Sequence, residues 1–226
     1  MKILVKKAVQ YLVGIDEVGR GPLAGPVTVG VFGVEKKFLK EFEKLATQLG
    51  ITDSKKLSEK KRSEIAKVLC NMTAEGKCFF HITMTPATYI DTHGIVPAIR
   101  RALENGLEKV VEQIKQTHPL PPLVEGAAPN NDNVQIFLDG GLYAPGEYKH
   151  QQTIIKGDLH NILISAASIL AKVHRDNYMT KMDKQYPQYG FTQHVGYGTK
   201  YHREMIQKHG LSKIHRKSFC RNIILK

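Results

Sequence analysis

Two adjacent carboxylates, Asp16 and Glu17, end an apolar run and lead straight into Gly19-Arg20-Gly21, inside the stretch GIDEVGRGPLAGP at positions 14–26. Acids at the end of such a run can hold cations, and a glycine turn beside them lets another molecule's backbone come close. Two later apolar runs finish in the same way, residues 134–138 at Asp139 and residues 153–155 shortly before Asp158. Four carboxylates gathered closely raise one another's pKa unless cations neutralise them. Hard divalent ions such as Mg²⁺ take oxygen ligands and keep coordination positions for water and phosphate. Two of them roughly 3.5 to 4 Å apart can activate water and stabilise the leaving oxygen of a phosphodiester displacement. The first reading is therefore a metal site facing a phosphate-bearing substrate. Any one of these acids alone reads better as an ordinary turn residue.

One geometric demand follows from the adjacency. Successive strand residues point to opposite faces, so if both Asp16 and Glu17 bind metal, the strand should break at Glu17, with Asp139 and Asp158 arriving at the same edge. A dinucleotide-binding reading of Gly19-x-Gly21 with Gly25 is weaker. Pro22 and Pro26 spoil the helix that should follow, and two carboxylates would repel the pyrophosphate. No phosphate-binding loop of the GxxxxGK[ST] type is present in the sequence.

The elements that must position these acids can be read from periodicity. Residues 10–15 and 27–34 are valine-rich strands joined by the glycine turn. Residues 35–49 place Phe38, Phe42, Leu45 and Leu49 at helical spacing, with Gly50 as the stop. A helix from Ser58, its N-cap, reaches about Cys70, and residues 77–85 form a third strand. Thr85 as N-cap and Pro86 at the first helical position open a short helix. A longer one follows with the stripe Ile95, Ile99, Leu103, Leu107, Val110 and Ile114. Residues 117–133 contain four prolines and read as a surface excursion. After the short strands before Asp139 and Asp158, residues 162–182 make a long helix whose Ser165, Ala166, Ala167 and Ser168 allow close packing on a sheet. Thr199 caps a last helix over residues 199–209, and Gly210 follows its end.

Composition narrows the partner. The formal net charge is +12, and residues 200–226 carry eight Lys or Arg against one Glu, which points to a polyanion such as nucleic acid. No apolar run reaches the ~20 residues of a membrane span, and the N-terminus lacks a secretory pattern, so a cytoplasmic location is expected. Cys70, Cys78 and Cys220 form no CxxC pair and read as small hydrophobes in a reducing compartment. His194, His202, His209 and His215 crowd the last third without zinc-site spacing, and surface or phosphate-facing roles are expected of them.

Taken together, GIDEVGRGPLAGP at 14–26, DSKKL at 53–57, LDG at 138–140, KGD at 156–158, AASILAKV at 166–173 with Arg175 and Asp176, and GF at 190–191 through His194 and GYGT at 196–199 resemble bacterial ribonuclease HII. The match runs over nearly the whole chain. The resemblance implies an α/β, ribonuclease H-like fold: a central mixed sheet flanked by helices, with a small helical C-terminal part. It divides the chain into a catalytic region at 1–186 and a basic, mostly helical, substrate-gripping region at 187–226, within one compact unit. It implies endonucleolytic hydrolysis of the RNA strand of RNA/DNA hybrids and cutting at single ribonucleotides in duplex DNA, as in ribonucleotide excision repair, leaving 5′-phosphate and 3′-hydroxyl ends. Mg²⁺ or Mn²⁺, two ions in the substrate complex, is the implied cofactor. Asp16, Glu17, Asp139 and Asp158 match the four metal-binding acids, with Asp16 expected to bridge both ions. Gly19, Arg20 and Gly21 match the turn that senses the ribose 2′-hydroxyl, and Tyr197 the tyrosine that packs on the adjacent sugar. Ser54, Lys55 and Lys56 resemble a phosphate-contacting segment. A monomer is expected. Val18, Ser165 and Leu159-His160-Asn161 depart from the usual pattern without removing a ligand, and the few residues before Asp16 favour this type over its sister, ribonuclease HIII. A nucleic-acid-binding module without catalysis is the rival that the basic tail alone would allow.

Overall fold

The computed structural model describes residues 10–51, 56–117 and 133–224. Ser54 and Lys55, and most of the proline-rich excursion, lie outside them. Strands β1 (Tyr11–Val18), β2 (Val27–Glu35), β3 (Cys78–Thr85), β4 (Val134–Asp139) and β5 (Gln151–Ile154) form one sheet in the order β3-β2-β1-β4-β5. The β1–β2 and β2–β3 pairs are antiparallel, β1–β4 and β4–β5 parallel, so the sheet is mixed, as expected. Around it lie helices α1 (Leu39–Leu49), α2 (Glu59–Ala74), α3 (Ala87–His93) and α4 (Ile95–Thr117). The later ones are α5 (Gly157–His160), α6 (Ile162–Gln185), α7 (Phe191–His194), α8 (Lys200–His209) and α9 (Lys217–Ile224).

Strand alternation sorts the core into two layers. Tyr11, Val13 and Ile15 pack with the stripe Ile99, Leu103, Leu107, Val110 and Ile114 of α4. On the opposite face Leu12, Phe32 and Val34 meet α1, α2 and the start of α6. There α6 lies directly on the strands: a Cβ at Gly14 would collide with the backbone of Leu163 and Ile164, and Ala166 and Ala167 are fully buried. Asn161 caps this helix, its Oδ1 accepting from Leu163 N–H at 2.9 Å and Ile164 N–H at 3.3 Å. Ser58, Gly50 and Thr199 occupy the cap positions read from the sequence. Thr85 does not: α3 starts after Pro86 with no side-chain cap, because the buried Thr85 hydroxyl donates to the Ala98 carbonyl instead.

A third apolar cluster joins Leu23 and Ala24 of the glycine-rich stretch to Met179 of α6 and to Tyr189, Phe191, Ile206, Cys220 and Ile223. Asp91 of α3 accepts from the backbone N–H groups of Lys217 and Ser218, both at 2.9 Å, and so caps α9.

Candidate active site

Asp16, Glu17 and Asp139 offer carboxylate oxygens that all lie within 4.8 Å of one another. The sheet register explains the meeting. Parallel pairing of β1 with β4 ends at Ile15 opposite Leu138, so the next residues of both strands, Asp16 and Asp139, emerge together at the sheet's end. The expected strand break at Glu17 is absent: antiparallel pairing with β2 continues through Glu17 and Val18. Convergence is reached differently. Asp16 follows Leu12 and Gly14 on the α6 face, where its side chain bonds Ser168, while Glu17 follows Val13 and Ile15 on the α4 face. With the β1–β4 ladder ending at Ile15 and Leu138, both carboxylates can turn past its end toward Asp139. Asp16 Oδ1 accepts the Glu17 N–H at 2.8 Å, which fixes its rotamer.

The electrostatics are those of a site built for cations. Burial pushes the Asp16 carboxyl well above its ordinary range, and the charges of Glu17 and Asp139 add to the effect, against the Ser168 bond. Glu17 is raised too, by burial first and by Asp139, with the Arg20 guanidinium opposing. That guanidinium sits 3.3 Å from Glu17 Oε1, whereas Glu17 Oε2 is buried with no hydrogen-bond partner. A buried, orphaned carboxylate oxygen between two more acids fits a hard divalent ion.

Asp158 is outside that group of three. It is buried in the first turn of α5, entered through Lys156 at φ 54°. The adjacent Gly157 N–H donates to Asp139 Oδ1 at 2.5 Å, so Asp158 is one residue from a direct link to the cluster.

Beside the acids, Gly19 has φ 85°, a left-handed conformation that favours glycine. Its missing Cβ also makes room for the Arg175 side chain. Two fully buried arginines hold this segment without help from sequence neighbours. Arg216 donates to the carbonyls of Gly19 (2.6 Å), Arg20 (2.9 Å) and Gly25 (2.9 Å). Arg175 donates to those of Pro26 (3.1 Å), Ala24 (3.2 Å) and Val195 (2.9 Å). Burial lowers both guanidinium pKa values, that of Arg216 to about 9 with Arg175's charge contributing. Neither was legible as a site residue: Arg175 stands among the motifs of the resemblance with no role assigned to it, and Arg216 reads as one more charge in a basic tail. Arginine's fork of donors suits several carbonyls at once.

Arg20 itself is exposed apart from its contact with Glu17, and a Cβ at Gly21 would meet open space. Tyr197 is 44% exposed, on a loop tied to the turn because the Gly196 carbonyl accepts from Leu23 N–H at 2.8 Å. Lys56 is exposed at the edge of the described residues. Surface roles fail for three of the histidines: His194, His202 and His215 are buried, and only His209 of the four is exposed. Their basic surroundings in sequence concealed an aromatic pocket with Tyr189 and Phe191.

Among the described residues no helix is long and apolar enough to cross a membrane. The profile of the ribonuclease HII family matches residues 13–222. Ribonuclease HII of Clostridioides difficile (strain 630) is 40% identical over 218 residues, covering 96% of this chain and 73% of that protein. The Caldicellulosiruptor bescii protein of the same description is 34% identical, covering 98% and 92%. A chain of the PCNA–RNase HII complex from Archaeoglobus fulgidus superposes with a TM-score of 0.68 at 21% identity, over 95% of this chain and 97% of that one, which supports the fold. With the acids converging at the end of a mixed sheet, and with the family profile and the relatives matched over nearly the whole of this chain, the chain belongs to the ribonuclease HII family.

Proposed function

We propose that this ribonuclease H hydrolase cuts the RNA strand of RNA/DNA hybrids and the backbone at single ribonucleotides in duplex DNA, leaving 5′-phosphate and 3′-hydroxyl ends. The observation that carries the reading is the three-carboxylate group, Asp16 buried and Glu17 and Asp139 partly buried, beside the arginine-held glycine turn. Asp16, Glu17 and Asp139 would hold divalent metal, with Asp158 joining them. When bound, Mg²⁺ or Mn²⁺ ions, two in the substrate complex, supply water activation and neutralise charge developing on the phosphate. The chain's own part is positional: Gly19, Arg20 and Gly21 bring backbone to the 2′-hydroxyl, the group that tells RNA from DNA. Tyr197 packs on the neighbouring sugar, and Ser54, Lys55 and Lys56 contact phosphate without reading sequence. Residues 1–186 and 187–226 act as one unit, the second gripping the duplex; the protein works as a cytoplasmic monomer.

A cleavage assay on a DNA duplex with one ribonucleotide tests this, run with Mg²⁺, with Mn²⁺ and with chelator. Cutting next to the ribonucleotide with metal, abolished by chelator, is expected. Binding without cutting under every condition would instead favour a non-catalytic module.

A further inference from the structure

Behind the Tyr197 loop, hydrogen bonds run through two imidazoles. Ser212 N–H reaches His215 Nδ1 at 2.9 Å, with the Ser212 hydroxyl 2.8 Å from the same atom. His215 Nε2 and His202 Nε2 are 3.0 Å apart, and His202 Nδ1 lies 2.9 Å from the Tyr197 carbonyl. The end groups fix every proton. A carbonyl only accepts, so His202 carries hydrogen on Nδ1; a backbone N–H only donates, so His215 Nδ1 is bare. The link between the rings is then a bond from His215 Nε2–H to a bare His202 Nε2. Neither ring can take a second proton without setting one donor against another, and no ring nitrogen is left over for a metal.

The backbone closes this line into a circuit with the glycine turn. His215 bridges Ala24, the Gly25 N–H donates to the Ile214 carbonyl at 2.8 Å, and the Arg216 N–H to the Leu23 carbonyl at 2.8 Å. Leu23 N–H in turn donates to Gly196, the residue before Tyr197. We propose that His202 and His215, as a neutral hydrogen-bonded pair, are positioning residues that set the height of Tyr197 relative to the Gly19-Arg20-Gly21 turn. Through that setting they govern preference for a single ribonucleotide over a long hybrid. This rests on the reading of Tyr197 as a sugar contact.

The surroundings favour neutral rings. His194 stacks on His202 at 4.3 Å, its Nε2 bonded to the Tyr189 carbonyl and its Nδ1 accepting from Gly196 N–H. Tyr189 sits edge-on to His215 at 4.7 Å and to His209 at 6.3 Å, and Tyr201 lies 6.4 Å from His194. Asp183 favours the charged form of His194, but burial prevails there. Burial also pushes His202 down to about 4, against its bond to Tyr197, and His215 down to about 4, helped by His202.

Two measurements decide the matter. Long-range ¹H–¹⁵N spectra of the full-length protein should show His202 as the Nδ1–H and His215 as the Nε2–H tautomer, both neutral from about pH 7 down to about pH 5. A charged ring or the opposite tautomer at neutral pH overturns the proposal. Steady-state kinetics then compare wild type, His202→Phe and Tyr197→Ala on a single-ribonucleotide duplex and on a long hybrid. His202→Phe should lower the ratio of kcat/KM values about tenfold, mainly through KM, the scale of one well-made hydrogen bond. An equal loss on both substrates means a merely structural role and overturns the proposal, as does a ratio changed by Tyr197→Ala but not by His202→Phe. If neither variant moves the ratio, the Tyr197 reading fails, and with it the claim on specificity; the tautomers alone then judge the hydrogen-bonded pair.

Discussion

At the residue scale, the site is held ready by groups that oppose folding in the absence of metal. Asp16 is buried with its carboxyl pKa raised by burial and by its acidic neighbours. A carboxyl whose folded pKa lies above its unfolded value contributes stability at low pH and loses it as pH rises through the folded value. At neutral pH the raised Asp16 carboxyl therefore costs stability. Asp16→Asn should raise metal-free stability at neutral pH by about 1–2 kcal/mol, as read by denaturant unfolding, with the gap closing toward acid pH. Mn²⁺ should stabilise the wild type and leave the variant nearly unmoved. A variant less stable than wild type without metal would contradict this. The meeting of Asp16, Glu17 and Asp139 was legible because these acids stand at the ends of two apolar runs, whereas Asp158 stays outside the group. Ser168, Arg175 and Arg216 were not, since their partners stand far away in sequence and are mostly backbone carbonyls, which leave no side-chain signature.

At the element scale, β1 and α6 set the positions of the acids. Gly14 is two residues before Asp16, and an added methyl there would press on the α6 backbone at Leu163 and Ile164. Backbone cannot swing aside as a flexible side chain can. Gly14→Ala should therefore destabilise by about 2–3 kcal/mol and slow cleavage by displacing Asp16 from Ser168. Unchanged unfolding and unchanged activity would show that the layer is more yielding. The five strands, the longer helices and most caps followed from periodicity and end residues; the short α5 and α7 did not, and α9 follows the helix read as the last one. The error at Glu17 has a definable cause: the strand's two edges end at different points, with β2 pairing through Val18 and β4 stopping at Ile15. A single sequence reveals where a strand's apolar run ends, but not which neighbour stops first. The Thr85 misreading is similar, a hydroxyl claimed by a distant carbonyl rather than its own helix.

At the scale of the whole molecule, the basic C-terminal part is built into the glycine turn. Arg216 supplies three hydrogen bonds to residues 19–25, His215 bridges Ala24, and α9 is capped by Asp91. Removing residues 187–226 would leave the Gly19, Arg20 and Gly25 carbonyls without their guanidinium and expose Leu23 and Met179. The truncated chain should show no cooperative unfolding transition matching that of the full protein and no cleavage; a stable, active 1–186 fragment would refute the single unit. The central claim, that the acid group cuts while the turn and tail hold the duplex, is tested most directly by Asp139→Asn. On a DNA duplex with one ribonucleotide, cleavage with Mg²⁺ and binding affinity are measured side by side. Loss of cutting by about a thousandfold or more, with Kd changed by only a few-fold, is predicted; cleavage at near wild-type rate would contradict the account.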